Sequence, residues 1–312
     1  MISLGKRSAT GVFASTPSQP PELSRAFKAF LLERQIAGAT ITTIETYRTQ
    51  LKPFGAWCSR SGLDLPALST DILRSYLASR QQLSPSALHE AARRLKTFFR
   101  WSAKESICED LGAQVRLPKQ PRKIIPSLTV PQVHALLAVG KGDAFVGRRN
   151  EALLRLLIDS GLRISEALGI KLNDLDLEGG RALIQGKGQK QRFVPFGPRT
   201  AKALLQYMHS RERLFPTLDV LFVGSNGQGL KCRHAQQHLK RLAHRAGIEN
   251  IRVSPHTLRH TFATWYLRSG GDVFSLQRIL GHTSLAMTRR YVDLVDADVT
   301  ATHAKFSPGN LV

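Results

Sequence analysis

Ser254-Pro255-His256-Thr257-Leu258-Arg259-His260, then Leu280-Gly281-His282, then Arg289-Arg290-Tyr291: this last quarter of the chain reads as successive short helices carrying histidines, an arginine and a tyrosine. Arginine's planar fork matches two phosphate oxygens, histidine donates or shuttles a proton near neutral pH, and tyrosine offers an oxygen able to esterify phosphorus. Together they ask for a phosphodiester, and no metal is needed to complete the set. The rest of the chain should then supply further cations for phosphate, an acid for the leaving group and a means of gripping DNA.

Composition points the same way. Lys and Arg number 45 against 23 Asp and Glu, a formal charge of +22 in 312 residues, which is the footprint of a polyanion binder. A membrane surface would attract the same charge, but no stretch approaches the roughly 20 apolar residues of a spanning helix. Even Ala152 to Ile158 is interrupted by Arg155. Cys58, Cys108 and Cys232 are few, widely separated and odd in number, so neither a disulfide framework nor a zinc site is suggested and a reducing, cytoplasmic interior is expected. The first 20 residues, rich in Ser, Thr, Pro and Gly and without an apolar core, read as a flexible tail.

From Pro21 the apolar period turns helical. Leu23, Phe27, Phe30 and Leu31 define a first helix stopped by Gly38, and Ile44, Tyr47, Leu51, Phe54 and Trp57 a second, with Thr43 as its expected cap and a kink allowed at Pro53. Two more helices are expected, from about Thr70 to Ser79 and from about Ser86 to Ala103. The last of these sets Arg93, Arg94 and Arg100, with Lys96 and Lys104, away from its apolar stripe. Such a single-signed run suits phosphate contact as well as it suits solvent. Further on, Pro118, Pro121 and Pro126 alternate with Arg116, Lys119, Arg122 and Lys123, so the hydrophobic period gives way to a basic, proline-stiffened linker. The expected plan is a tail over 1–20, a helical DNA-binding domain over 21–105, a linker over 106–126 and a second domain over 127–312, the two domains closing on a duplex as a clamp.

In the second domain, Thr129 and Gln132 make a capping box, and an apolar helix from Glu151 to Ser160 stops at Gly161. Next comes Gly161-Leu-Arg163-Ile-Ser-Glu166-Ala-Leu168, where an arginine between apolar neighbours wants a buried or ligand-borne anion. A pair with Glu166 or Asp159 would satisfy it equally well. Arg181 to Gln185 and Arg192 to Pro195 read as a β-hairpin with Lys187 between glycines at its tip, followed by Lys190 and Arg192. A helix near Thr200 to Met208 and a short strand, Val220 to Val223, read as framework. The helix from about Leu230 to Ala246 carries Lys231, Arg233, Lys240 and Arg241, and is the best candidate in this domain to lie across a DNA groove.

In this order and at these spacings, the Arg163 box, Gly186-Lys187-Gly188, His256-x-x-Arg259-His260, Leu280-Gly281-His282 and Tyr291 resemble the tyrosine recombinase (phage integrase) family, in its two-domain Xer-like branch. The resemblance implies a mainly α fold with a small antiparallel sheet in the catalytic domain. It implies Arg163, Lys187, His256, Arg259 and His282 as the phosphate-activating set and Tyr291 as nucleophile, with Glu166 and His260 in support. A phenol with a pKa of about 10 is a poor nucleophile until its proton is accepted or its charge stabilised. Arg163 and Arg259 would neutralise the non-bridging oxygens, with a hydrogen bond from His282. Lys187 is suited to protonating the leaving 5′ oxygen, and His256 to accepting the tyrosine proton or positioning the phosphate. A 3′-phosphotyrosyl bond keeps the energy of the bond it replaces, so no ATP or other cofactor is expected.

The activity implied is site-specific recombination by a homo- or heterotetramer on paired double-stranded DNA sites. A second recombinase or a septal DNA translocase are candidate accessory partners. Chromosome-dimer resolution, as in chromosome partition, and integration or excision of a mobile element all use this scaffold. Two other readings share the sequence features: a type IB-like topoisomerase that nicks and reseals one duplex, and a catalytically silent DNA-binding regulator. A zinc-protease pair at His256 and His260 fails because Thr257 stands where the water-activating glutamate would be. The segment from Asp293 to about Lys305 is expected to dock on a neighbouring protomer or to pack in cis.

Overall fold

The structure, a computed structural model, describes residues 21–119, 126–142, 144–186, 191–282, 284–292, 303 and 307. The chain is mainly α with one small antiparallel sheet, as the periods predict, and divides into two units, residues 1–123 and 124–312.

Among its described residues the first unit holds four α-helices: α1 (Pro21–Ile36), α2 (Ile41–Arg60), α3 (Thr70–Ala78) and α4 (Pro85–Lys104). Their apolar stripes meet in an aromatic core where Phe30 packs edge-on against Tyr47 and Phe98, and Phe54 against Tyr76 and Phe99. The cap of α2 is Thr40 and not Thr43. Thr40 accepts from Thr43 N, which places Thr43 inside the first turn. Part of the expected linker over 106–126 instead packs on this core. Leu111 and Val115 are buried in it, Lys96 Nζ donates to Val115 O at 2.7 Å and His89 Nδ1 donates to Pro118 O at 2.7 Å.

The second unit opens with α5 (Val130–Gly140), closed by the Thr129–Gln132 capping box, then α6 (Phe145–Ser160) and the short α7 (Ile164–Leu168). Strands β1 (Leu175–Asp176), β2 (Arg181–Gln185) and β3 (Gln191–Pro195) form the sheet in sequence order, with Ala182 opposite Val194 and Ile184 opposite Arg192. Then follow α8 (Pro198–Leu214), α9 (Cys232–Arg245), α10 (Pro255–Arg268), α11 (Val273–Leu280) and α12 (Leu285–Val292). Helix α6 starts six residues before Glu151, because Gly147, Arg148 and Arg149 hide its first turns from an apolar count.

The expected strand at Val220 to Val223 is absent as a strand. Its residues pair only as isolated bridges: Leu221 N donates to Ile170 O and Phe222 O accepts from Leu230 N, but side chains take the other groups, Val223 N donating to Tyr207 Oη, which donates to Leu221 O, while Arg211 and Arg149 donate to Val220 O and Val223 O. The core of this unit runs from Leu136 and Leu156 through Ile184 and Val194 to Leu258, so α6 and α10 are packed as the frame on which the site stands. Among the described residues no helix is long and apolar enough to cross a membrane.

Candidate active site

Helix α6 ends at Gly161 with φ of 62°, a left-handed cap that an L side chain rarely adopts, and a Cβ there would come within 2.3 Å of the Phe262 ring. The sharp exit turns the chain into Arg163, the N-cap residue of α7. Glu166, at the third position of α7, accepts from Arg163 N at 2.9 Å and from Arg163 Nη1 at 2.8 Å. Its carboxylate also accepts from Arg192 Nη2 at 3.0 Å and lies 4.0 Å from Arg259 Nη1. One buried carboxylate, 8% exposed, thus gathers three guanidinium groups. Burial pushes its pKa up, but the hydrogen bonds from Arg192 and the Arg163 backbone, with the charges of both arginines, hold it below the ordinary value. Asp159, the other possible partner for Arg163, is occupied elsewhere: it accepts from Gly197 N and Thr200 Oγ1, both at 2.7 Å.

Arg259 stands on α10, whose start is set by Ser254 accepting from Thr257 N and by Pro255 in the first turn. A further tie, Leu128 N to Thr261 Oγ1 at 2.9 Å, anchors the helix from below. The Arg259 guanidinium is buried and donates to Gly161 O at 2.9 Å and Leu280 O at 2.8 Å. Burial, and then the charge of Arg163, push its pKa down to about 10, which leaves it a cation at neutral pH. Arg259 Nη2 also meets His282 Nε2 at 3.0 Å. Because a guanidinium only donates, His282 Nε2 accepts here, and its Nδ1–H donates to the buried Thr288 Oγ1 at 2.8 Å. His282 in this arrangement orients Arg259. The phosphate hydrogen bond expected of it would require a second proton on the ring.

Tyr291, on α12, packs with Phe262, Ala263, Leu276 and Leu280 and is only 1% exposed. Its ring stacks on His282, centroids 6.2 Å apart and planes within 6°, and lies 5.2 Å from the ring of His260. The other buried tyrosines serve packing: Tyr47 and Tyr76 sit in the aromatic core of the first unit, and the Tyr207 hydroxyl is committed to backbone.

Arg163, Glu166, Arg259, His260, His282 and Tyr291 are therefore joined in one chain of contacts. His256 belongs to it by helical register alone, one turn before His260, as an exposed residue in the otherwise buried first turn of α10. Lys187, Arg122 and Lys123 lie outside the described residues, as do 293–302. Of the cations read as DNA-binding, Lys231, Arg233, Lys240 and Arg241 are exposed along α9, opposite its buried Ala235, Leu239 and Leu242. On α4, Arg100 is exposed, Arg93 donates to Glu90 at 2.9 Å and Arg94 sits 4.9 Å over the Tyr47 ring. Arg192 is the site residue that sequence reasoning passed over. Its only signal was the alternation of β3, which puts it on the same face as Val194.

A helical domain that gathers arginines on a buried carboxylate and sets a tyrosine against two histidines belongs to the class of enzymes that transfer phosphodiesters to a tyrosine of their own. Residues 126–297, more than half of the chain, match the phage integrase family. The chain is 34% identical over 298 residues to tyrosine recombinase XerD of Ralstonia nicotianae, covering 94% of this chain and 96% of that protein. It is 33% identical over 282 residues to tyrosine recombinase XerC of Azotobacter vinelandii, covering 88% and 92%. Among solved structures, XerH site-specific recombinase bound to a palindromic difH substrate in a post-cleavage complex superposes with a TM-score of 0.73 at 26% identity, over 91% of this chain and 84% of that one. The chain belongs to the phage integrase family, as a tyrosine recombinase of the Xer-like branch.

Proposed function

We propose that this protein cuts and rejoins double-stranded DNA at a specific core site through a 3′-phosphotyrosyl bond to Tyr291, and exchanges strands between two sites as a tetramer. The observation that carries the reading is the arginine platform on Glu166. Arg259 is fixed by two carbonyls and His282, while Arg163 keeps a side chain 38% exposed, so one guanidinium is rigid and the other reaches outward. Such preorganised charge costs no reorganisation when a phosphate gains negative charge in the transition state.

The step balances without an outside reagent. The Tyr291 oxygen attacks phosphorus, the 5′ oxygen leaves and takes a proton, and the phenolic proton passes to a base. Lys187 is the proposed leaving-group acid and His256, exposed at the start of α10, the proposed acceptor. Tyr291 is covered by Phe262 and Leu276, so attack requires α12 to shift toward the DNA. A similar recombinase solved on its substrate as a post-cleavage complex supports DNA cleavage by this chain.

A plasmid carrying two copies of the core site, identified by capturing covalently joined DNA genome-wide, separates the alternatives. Recombination predicts deletion or inversion between the sites. A topoisomerase would only relax the plasmid, and a silent regulator would only bind it.

A further inference from the structure

Arg192 faces inward where a strand has no reason to carry a charge. On β3 it lies opposite Ile184 and two residues before Val194, both buried, while its neighbours Gln191 and Phe193 are exposed. A guanidinium 17% exposed on the apolar face of a sheet is costly unless it is paired. Its pairing is specific. Nη2 donates to Glu166 Oε2 and Nε to Ile279 O, each at 3.0 Å. The group lies flat against Gly281, where a Cβ would come within 2.8 Å of Arg192 Cζ, and Gly281 has φ of 64°.

Two arginines therefore hold consecutive carbonyls at the end of α11: Arg192 takes Ile279 O and Arg259 takes Leu280 O, immediately before Gly281 and His282. The charges complete the picture. Among the described residues Glu166 is the one carboxylate that answers Arg163, Arg192 and Arg259, so the charge that Arg192 supplies to it need not come from the other two.

We propose that Arg192 is a positioning residue for strand transfer: it satisfies Glu166 and clamps the α11 terminus, so that Arg163 and Arg259 keep their charge and geometry for the scissile phosphate. The inference rests on the phosphotyrosyl reading above and adds to it a residue that need not touch DNA. Without Arg192, Glu166 would draw Arg163 and Arg259 toward itself, and the segment leading to His282 would lose its anchor at Ile279 O. Displacements of about 1 Å at such a site cost on the order of a hundredfold in rate.

The test compares single-turnover adduct formation by the full-length wild type, Arg192→Gln and Arg192→Lys on a nicked core site. One version has a normal scissile phosphodiester and the other a methylphosphonate, which carries no charge for the arginines to neutralise. Arg192→Gln is expected to bind the site within about twofold of wild type and to cleave the phosphodiester about a hundredfold more slowly. On the methylphosphonate that deficit should shrink to severalfold or less. Arg192→Lys keeps the charge but cannot hold both acceptors, so it should be intermediate on the phosphodiester and near wild type on the phosphonate. It carries the test alone if the Gln variant does not fold. Equal slowing on both substrates would mean that Arg192 serves only the fold, and an unchanged phosphodiester rate would remove it from the mechanism; either overturns the inference while leaving the parent reading intact. A wild type that forms no adduct would overturn the parent reading itself, and this one with it.

Discussion

Glu166→Gln removes one charge and nothing else from the centre of the arginine platform. The carboxylate is 8% exposed and receives Arg163 Nη1 at 2.8 Å, Arg163 N at 2.9 Å and Arg192 Nη2 at 3.0 Å. Removing one partner of a buried ion pair costs about 3 to 5 kcal/mol, because the remaining charge is left uncompensated. The amide keeps one acceptor oxygen, so the lower end, about 3 kcal/mol, is expected. For a unit of this size that is a fall of roughly 6 to 12 °C in melting temperature. The pH dependence has a definite sign. The Glu166 pKa is depressed in the folded protein, so its contribution is complete above the unfolded value of about 4.3 and is lost as pH falls through the lower folded value. Urea melts of both proteins between pH 7 and pH 3, with hydrogen exchange at the amides of α7 and β3, should show a gap that is constant down to about pH 5 and narrows as pH falls below about 4. A gap under about 1 kcal/mol at pH 7 would refute the view of Glu166 as a charged hub, as would one that widens in acid.

Two further outcomes concern DNA grip and leaving-group chemistry. Neutralising Arg93, Arg94 and Arg100 together should make the salt dependence of DNA binding shallower by about 1 to 3 in log–log slope, most of it from Arg100, since Glu90 and Tyr47 already engage the other two; filter binding across a salt series measures it, and an unchanged slope places this face in solvent. Lys187→Ala should slow cleavage of normal DNA and recover most of its rate when the bridging 5′ oxygen is replaced by sulfur, a better leaving group; equal impairment on both would assign Lys187 to binding.

Helix ends and the histidine box were legible because their signals are local. Ser254-Pro255 announces α10 and Gly161 ends α6 whatever the tertiary structure does. The fate of Glu166 was half legible: spacing put it beside Arg163, but Arg192 arrives from 26 residues away and Arg259 from the other side of the unit. Apart from the alternation of β3, nothing around Arg192 in sequence marked it, since one of several cations on a hairpin reads as a solvated one. Its second anchor, Ile279, is 87 residues on. Val220 to Val223 misled for the opposite reason. Its apolar run suits a strand, yet Tyr207, Arg211 and Arg149 take four of the backbone groups that a ladder would have used and leave only isolated bridges. The linker was expected from residue 106 although its cations and prolines begin only at Arg116, and in the stretch before them Leu111 and Val115 suffice to seat the chain on the first unit's core.

The central claim is that Tyr291, and no other tyrosine, becomes joined to DNA. Tyr47 and Tyr76 are packed in the first unit's aromatic core, the Tyr207 hydroxyl is committed to backbone and Tyr266 packs on Phe262, whereas Tyr291 lies against His260 and His282. Removing one oxygen should leave the cationic grip and the packing of the ring on Phe262 and Leu276 untouched. The direct measurement is to incubate wild type and Tyr291→Phe with a nicked suicide site in buffer containing chelator, digest the product, and map the modified peptide by mass. The wild type should give a single adduct, a 3′-phosphate ester on Tyr291, and Tyr291→Phe should bind the site normally and give none. An adduct of ordinary yield from the Phe variant, or a wild-type ester on any other residue, would contradict the account.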